Sequence, residues 1–240
     1  MSILKPYCII GDRYRYAALD IRKRIEKRLS TRIIESKYRY ILDNGHGGII
    51  DSVYVTPGKR SQVYPNGDIV YEGDFNRSVV WKISSLLNSF RGIKYSILVP
   101  GDVDASLTRE RIPMANDMQA KYGNCILLSI HANAHRDTSA HGFEVWTYKG
   151  DSIADKLATN IANRIKEYTG MRIRSDFDDG DVDKENTIFA ILRKTTMPSL
   201  LTENGFMTNR EDARNMLNPE WIDRVAWSHF LGILELENLI

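Results

Sequence analysis

Apolar residues first recur at helical spacing near the start of the chain, at Leu19, Ile21, Ile25 and Leu29, with Arg22, Lys23, Arg24, Lys27 and Arg28 between them. The spacing predicts a helix over 17–29 with a strongly basic face. No linker rich in Gly, Pro or Ser follows, so this helix is expected to pack on what comes next. From residue 38 the pattern becomes an alternation of β-rich runs and helical segments. Residues 38–43 read as a strand ending in Gly45-His46-Gly47-Gly48. Residues 49–71 form a long excursion with turn signals at Pro57-Gly58 and Pro65-Asn66-Gly67, within which 52–56 and 69–71 are expected to pair as a hairpin. A helix over 74–90 carries Val79, Ile83, Leu86, Leu87 and Phe90 on one side, and a strand follows at 95–99. Residues 107–122 read as helical, with Pro113 bending the helix or marking its first turn. Strands are predicted at 125–130 and 142–148, then a helix at 153–168 closed by Gly170. Residues 187–192 and 199–202 flank a turn at Pro198, and a last helix over 220–236 presents Trp221, Val225, Trp227, Phe230 and Leu231. Strands alternating with helices, and apolar strands without regular polar alternation, predict an α/β fold: a twisted, mostly parallel sheet with helices on both faces.

The 240 residues are 42% hydrophobic and 27% charged, which places the chain among folded globular proteins and suits one large domain with at most a small appendage. No apolar run reaches the roughly 18–20 residues that span a bilayer. The first residues lack a basic stretch leading into a sustained apolar core, so no secretory signal peptide is expected. Cys8 and Cys125 are too few and too isolated for a disulfide framework or a metal clip, and both are expected to be free thiols in the interior. The net charge of +2 conceals an asymmetry: residues 1–40 hold 11 Lys/Arg against 4 Asp/Glu, and the remainder 22 against 27. A basic arm of this kind suits contact with an anionic surface. The expected organisation is a basic N-terminal helical extension, 1–38, on a main domain, 39–240.

On this layout His46, His131 and Glu203 each fall at the C-terminal end of a predicted core strand, and Glu72 opens a helix. Ligands bind at the strand ends of open parallel sheets, so residues distant in sequence can converge there. Two imidazoles and a carboxylate suit a catalytic zinc, which takes three protein ligands and leaves a position for water; a further carboxylate is needed to move the proton. The separations, 26 residues from His46 to Glu72 and 59 from Glu72 to His131, match no compact metal motif.

The segments Leu42-Asp43-Asn44-Gly45-His46-Gly47-Gly48, Glu72-Gly73-Asp74-Phe75-Asn76, Ser129-Ile130-His131-Ala132-Asn133-Ala134 and Leu201-Thr202-Glu203-Asn204-Gly205-Phe206-Met207-Thr208-Asn209 resemble, in order, the signature blocks of the zinc-dependent N-acetylmuramoyl-L-alanine amidases of the amidase type 3 family. Arg111, Gly142-Phe143-Glu144-Val145 and Ile191-Leu192-Arg193 are smaller echoes, and the likeness covers about residues 39–236. The resemblance implies His46, Glu72 and His131 as ligands of one Zn2+, Glu203 as the catalytic carboxylate, and cleavage between N-acetylmuramic acid and L-alanine in peptidoglycan. Asn133 and Arg193 are candidate substrate-binding residues. His135, His141 and His229 read as surface or packing residues, and 176–185 as a solvated acidic loop. The implied partner is peptidoglycan, with an anionic envelope surface as a second contact through residues 1–38; no nucleic-acid partner is expected. Such a chain is expected to be cytoplasmic on synthesis and to reach the wall after release, as a phage or prophage endolysin does. Two rival readings are a zinc carboxypeptidase on the stem peptide and a catalytically silent wall-binding or virion structural protein.

Overall fold

In the computed structural model, residues 11–28, 35–90, 92–176 and 181–240 are described. A six-stranded sheet forms from β1 (Arg39–Asn44), β4 (Lys94–Ile97), β5 (Cys125–Asn133), β6 (Phe143–Thr147), β7 (Lys184–Glu185) and β8 (Ser199–Phe206), in the order β4-β1-β5-β8-β6-β7. β4, β1, β5 and β8 are mutually parallel, and β6 runs antiparallel to β8 and carries β7 along its outer edge. Successive residues of a strand point to opposite faces, and here both faces are covered. Tyr40, Leu42, Ile126, Leu128 and Ile130 join one core with α2 (Glu72–Phe90), α4 (Ile153–Thr169) and α7 (Pro219–Leu236). Ile41, Leu127 and Leu201 join a smaller core with α3 (Ile112–Tyr122) and α5 (Ala190–Lys194) on the other face. The two-sided burial explains why the strands lack polar alternation.

Local signals set the helix ends. Ser152 and Asp155 cap α4 reciprocally, and Gly170 ends it in the left-handed conformation at φ 74°. Asn218 accepts from Glu220 N ahead of Pro219 in α7. Gly232 lets α7 close on α4, since a Cβ there would lie 2.7 Å from Ile161 Cγ1. Pro113 falls in the first turn of α3, and the segment before it, Leu107–Arg111, is a π-helical turn. Among the described residues no helix is long and apolar enough to cross a membrane.

Helix α1 (Asp12–Arg28) packs on the main core through Tyr14, Ala18 and Ile25. Tyr14 meets Trp227, Gly11 N donates to Asp223, and Arg22 donates to the Ser89 carbonyl. Lys23, Arg24 and Lys27 are exposed. Leu29 and Cys8 lie outside the described residues, and Cys125 is a buried free thiol.

Several elements differ from the sequence reading. The hairpin in the excursion pairs β2 (Ile49–Ile50) with β3 (Val53–Tyr54), and residue 71 makes only an isolated bridge to Arg60. α5 occupies part of 187–192. α6 (Arg210–Met216) has no counterpart in the prediction because its seven residues show too few apolar positions; Asn209 starts it by accepting from Glu211 N and Asp212 N. The acidic stretch is not solvated throughout: Asp183 is buried and accepts a hydrogen bond from Thr147. Burial, with Asp181 and Asp155 nearby, pushes its carboxyl up to about 7.

Candidate metal centre

β5 and β8 run further than predicted, so His131 and Glu203 lie within strands and are direct register partners. The β5/β8 register shifts between His131 and Asn133, an irregularity of the kind that re-aims side chains at sheet edges. β1 pairs with β5 up to Asn44↔Ile130, so the turn that follows β1 brings His46 to the same end of the sheet. Glu72, the first residue of α2, enters from the side. His131 Nδ1 lies 2.9 Å and His46 Nε2 3.3 Å from Glu72 Oε1, and the two imidazoles meet edge to face at 5.0 Å.

One donor atom from each of these three residues lies within 4.8 Å of the others. Ligands of one tetrahedral ion at about 2.1 Å are about 3.4 Å apart, so the set fits a single small cation. Two further observations fit the same reading. A Cβ on Gly45 would lie 2.1 Å from His131 Cε1, so only glycine leaves room for that imidazole beside the turn. Glu72 is almost fully buried; burial would raise its carboxyl, yet the hydrogen bonds from His131 and His46 hold it well below the usual carboxylate range. The same contact raises His131 above its ordinary value against the effect of burial.

His46 itself sits in the left-handed region, at φ 65°, which costs a non-glycine residue about 1 kcal/mol or more. Two buried arginines hold it there: Arg77 Nη1 and Arg111 Nη2 each donate to the His46 carbonyl at 2.7 Å. Arg111 also grips Asp43 and the carbonyls of Asn44 and Ala105, and holds the buried Asp43 carboxyl low. Asn76, one turn into α2, donates to the Gly45 carbonyl at 2.9 Å. α2 thus supplies one candidate donor, and two clamps for the turn that carries another. Of these supports the sequence reading named Arg111 and Asn76 as parts of the family blocks, without a role, and did not name Arg77. Asn76 was visible as a polar residue on the stripe that continues through Val80, Ile83 and Leu87.

Glu203 faces the same cavity and stands apart from the donor trio. Its Oε2 is buried without a hydrogen-bond partner. Burial raises its carboxyl to about 8, with Glu72 and Glu144 adding to the rise and His131 and Lys59 opposing it. Asn133 lines the cavity, but its carboxamide is engaged by the protein: Nδ2 donates to Glu144 and Oδ1 accepts from Ala134 N. Arg193 is exposed on α5 and is not among the cavity-lining residues. His135 and His141 are exposed, and His229 is buried in the core. The cavity, about 710 Å³, is large enough for a glycopeptide fragment, since small-ligand sites run about 300–1,000 Å³.

Fold and site together define an open-sheet α/β protein with three donors placed so that they could hold one metal ion and a separate carboxylate without a hydrogen-bond partner. Known proteins give the particular family. The sequence profile described as N-acetylmuramoyl-L-alanine amidase matches residues 41–235, and the chain belongs to that family. An endolysin of Bacillus phage SPP1 is 30% identical over 205 residues, covering 82% of this chain and 65% of the relative. The N-acetylmuramoyl-L-alanine amidase CwlM of Bacillus licheniformis is 33% identical over 154 residues, 64% of this chain and 55% of its own. The chain therefore spans less than two thirds of the length of these relatives. The crystal structure of an N-acetylmuramoyl-L-alanine amidase from Clostridium difficile 630 superposes with a TM-score of 0.64 at 28% identity, over 82% of this chain and 95% of that one.

Proposed function

We propose that this chain is a zinc-dependent hydrolase that cuts the amide between N-acetylmuramic acid and the L-alanine of the stem peptide in peptidoglycan. The observation that carries the reading is the pairing of the His46, Glu72 and His131 donors with a buried, unpartnered Glu203 oxygen in one cavity. A zinc ion held by the three donors would supply Lewis acidity and lower the pKa of water toward neutrality. Glu203 then acts as the base: it takes a proton from water and returns it to the leaving amine of L-alanine. Its raised carboxyl falls when a dication lies nearby, because positive charge favours the ionised form. Asn133, held by Glu144, and Arg193, on the adjoining helix, are kept as substrate contacts; the fixed carboxamide of Asn133 suits a positioning role.

The test is mass spectrometry of purified peptidoglycan after digestion. The amidase reading expects intact glycan strands with free lactyl carboxylates, and stem peptides with a free L-alanine amino group. Release of terminal stem residues alone would replace it with the carboxypeptidase reading, and no release by zinc-loaded protein would leave the silent wall-binding reading. The likeness to a phage endolysin supports a lysin that acts on the wall after release from the cytoplasm. The exposed Lys23, Arg24 and Lys27 on α1 support an anionic envelope contact for the 1–38 arm.

A further inference from the structure

The cavity has two unlike walls. One is largely apolar, built from Ala105, Leu107, Phe189, Ala190 and Ile191. The other is the turn Gly58-Lys59-Arg60 from the excursion that precedes α2. Besides the two imidazoles, the cationic residues lining the cavity are Arg111, Lys59 and Arg60. The Arg111 guanidinium is consumed by Asp43 and backbone carbonyls. Lys59 and Arg60 are exposed, and neither side chain makes a hydrogen bond or ion pair among the described residues. Their backbone is nonetheless fixed: the Lys59 carbonyl accepts from Glu72 N at 3.0 Å and from the Tyr54 hydroxyl at 2.8 Å, and Arg60 bridges to Tyr71. Two cations are therefore rooted on a turn whose backbone is hydrogen-bonded to that of Glu72, and the field of Lys59 reaches Glu203.

The substrate proposed above is not evenly charged. On the sugar side of the scissile bond the lactyl carboxyl is consumed in the amide, and the acetylated sugar is neutral. The anions lie on the peptide side. We infer that Lys59 and Arg60 form a subsite for a free carboxylate on the stem residue that follows L-alanine, so that the enzyme prefers stems with an acid there over stems with the carboxamide. The inference rests on the amidase reading. An acid and its amide have nearly the same shape, so discrimination falls on charge: the guanidinium offers a planar fork and the ammonium a point charge.

The experiment uses zinc-loaded protein and two muropeptides that differ only in carboxylate or carboxamide at that residue. Wild type is expected to show a ratio of kcat/KM values, acid over amide, of roughly tenfold at low salt, the discount from a buried pair reflecting exposure of both cations. The ratio should shrink as salt is added and approach one in the Lys59→Met/Arg60→Met double variant. Equal cleavage of both muropeptides by wild type, or a preference that survives in the double variant, overturns the subsite. Equal loss on both muropeptides in Lys59→Met with the ratio unchanged overturns it as well, and assigns that ammonium to the field at Glu203. Binding of the two muropeptides to Glu203→Gln reads the subsite without turnover. A protein that binds the acid form preferentially yet cuts neither keeps the subsite and overturns the amidase reading.

Discussion

Glu144 and Glu203 face each other directly across β6 and β8, yet among the described residues Glu144 makes ion pairs and Glu203 makes none. Arg174 Nε lies 2.8 Å and Lys184 Nζ 3.0 Å from Glu144 Oε1, whereas Glu203 Oε2 is left bare and is raised to about 8. Two neighbouring carboxylates are thereby set apart, one engaged by Arg174 and Lys184 and the other left without a hydrogen-bond partner. Glu203→Gln keeps the shape and removes the proposed base. Hydrolysis of peptidoglycan should fall by about 100- to 10,000-fold. Bound zinc, measured by elemental analysis, should stay at wild-type stoichiometry; its loss with the fold intact would make Glu203 a ligand.

The donors themselves should behave as one unit. His131→Ala is expected to lose both zinc and activity. In wild type, chelation should abolish activity, and added zinc should restore it and raise Tm, since a ligand that binds only the folded state stabilises it by mass action. A Tm unaffected by chelator and by zinc would sink the metal reading.

Arg111 and Asp43 are both nearly fully buried. Removing one partner strands the other charge, so Arg111→Met should cost about 3–5 kcal/mol in denaturant unfolding. Asp43→Asn placed on top should recover part of that loss. Residual folded Arg111→Met should also bind zinc more weakly, because the His46 carbonyl loses one of its two clamps. Additive costs in the double variant would show that the two residues act independently.

His229 gives a pH dependence with a definite sign. Burial lowers its pKa to about 4 from an ordinary 6.5; Nδ1 donates to the Val225 carbonyl, and Nε2 lies 3.2 Å from the Thr202 hydroxyl. Between those values the unfolded chain binds the proton and the folded chain does not. This contribution is present above about pH 6.5 and is lost as pH falls toward about 4, a change on the order of 3 kcal/mol. His229→Leu should flatten that part of the stability profile measured by urea unfolding; an unchanged slope would show that other groups set it.

The basic arm can be tested apart from catalysis. Reversing Lys23, Arg24 and Lys27 should reduce co-sedimentation with whole cell envelopes at low salt, and the difference should vanish at high salt. Equal sedimentation at low salt would remove the envelope contact.

Much of this was legible in the sequence where periodicity was strong. α4 and α7 follow their apolar stripes and end at Gly170 and from Asn218 as the residue types dictate. β5 was legible as a continuous apolar run, but its extension through His131 to Asn133 was not, because that part is fixed by pairing with β8. The four polar site residues were legible as strand-end and helix-start positions, and the family blocks gave them roles. Their supports were harder to find. Arg77 approaches the turn after β1 across 31 residues and Arg111 across 65, and nothing local in either segment specifies a carbonyl as the target. α6 escaped because its cap at Asn209 and its docking carry it, with little amphipathic pattern of its own.

Gly73 touches Gly47 so closely that a Cβ there would lie 1.8 Å from the Gly47 oxygen. The turn bearing His46 and the helix opened by Glu72 are thus in contact one residue from each candidate donor, and the buried Arg77 and Asn76 bolt them together. These two candidate donors are therefore fixed to each other by packing and hydrogen bonds. The opposite side of the cavity, at Leu107, Phe189, Ala190 and Ile191, is lined from a π-helical turn and the start of a five-residue helix. A side chain at residue 73 would disturb both donor-bearing elements at once.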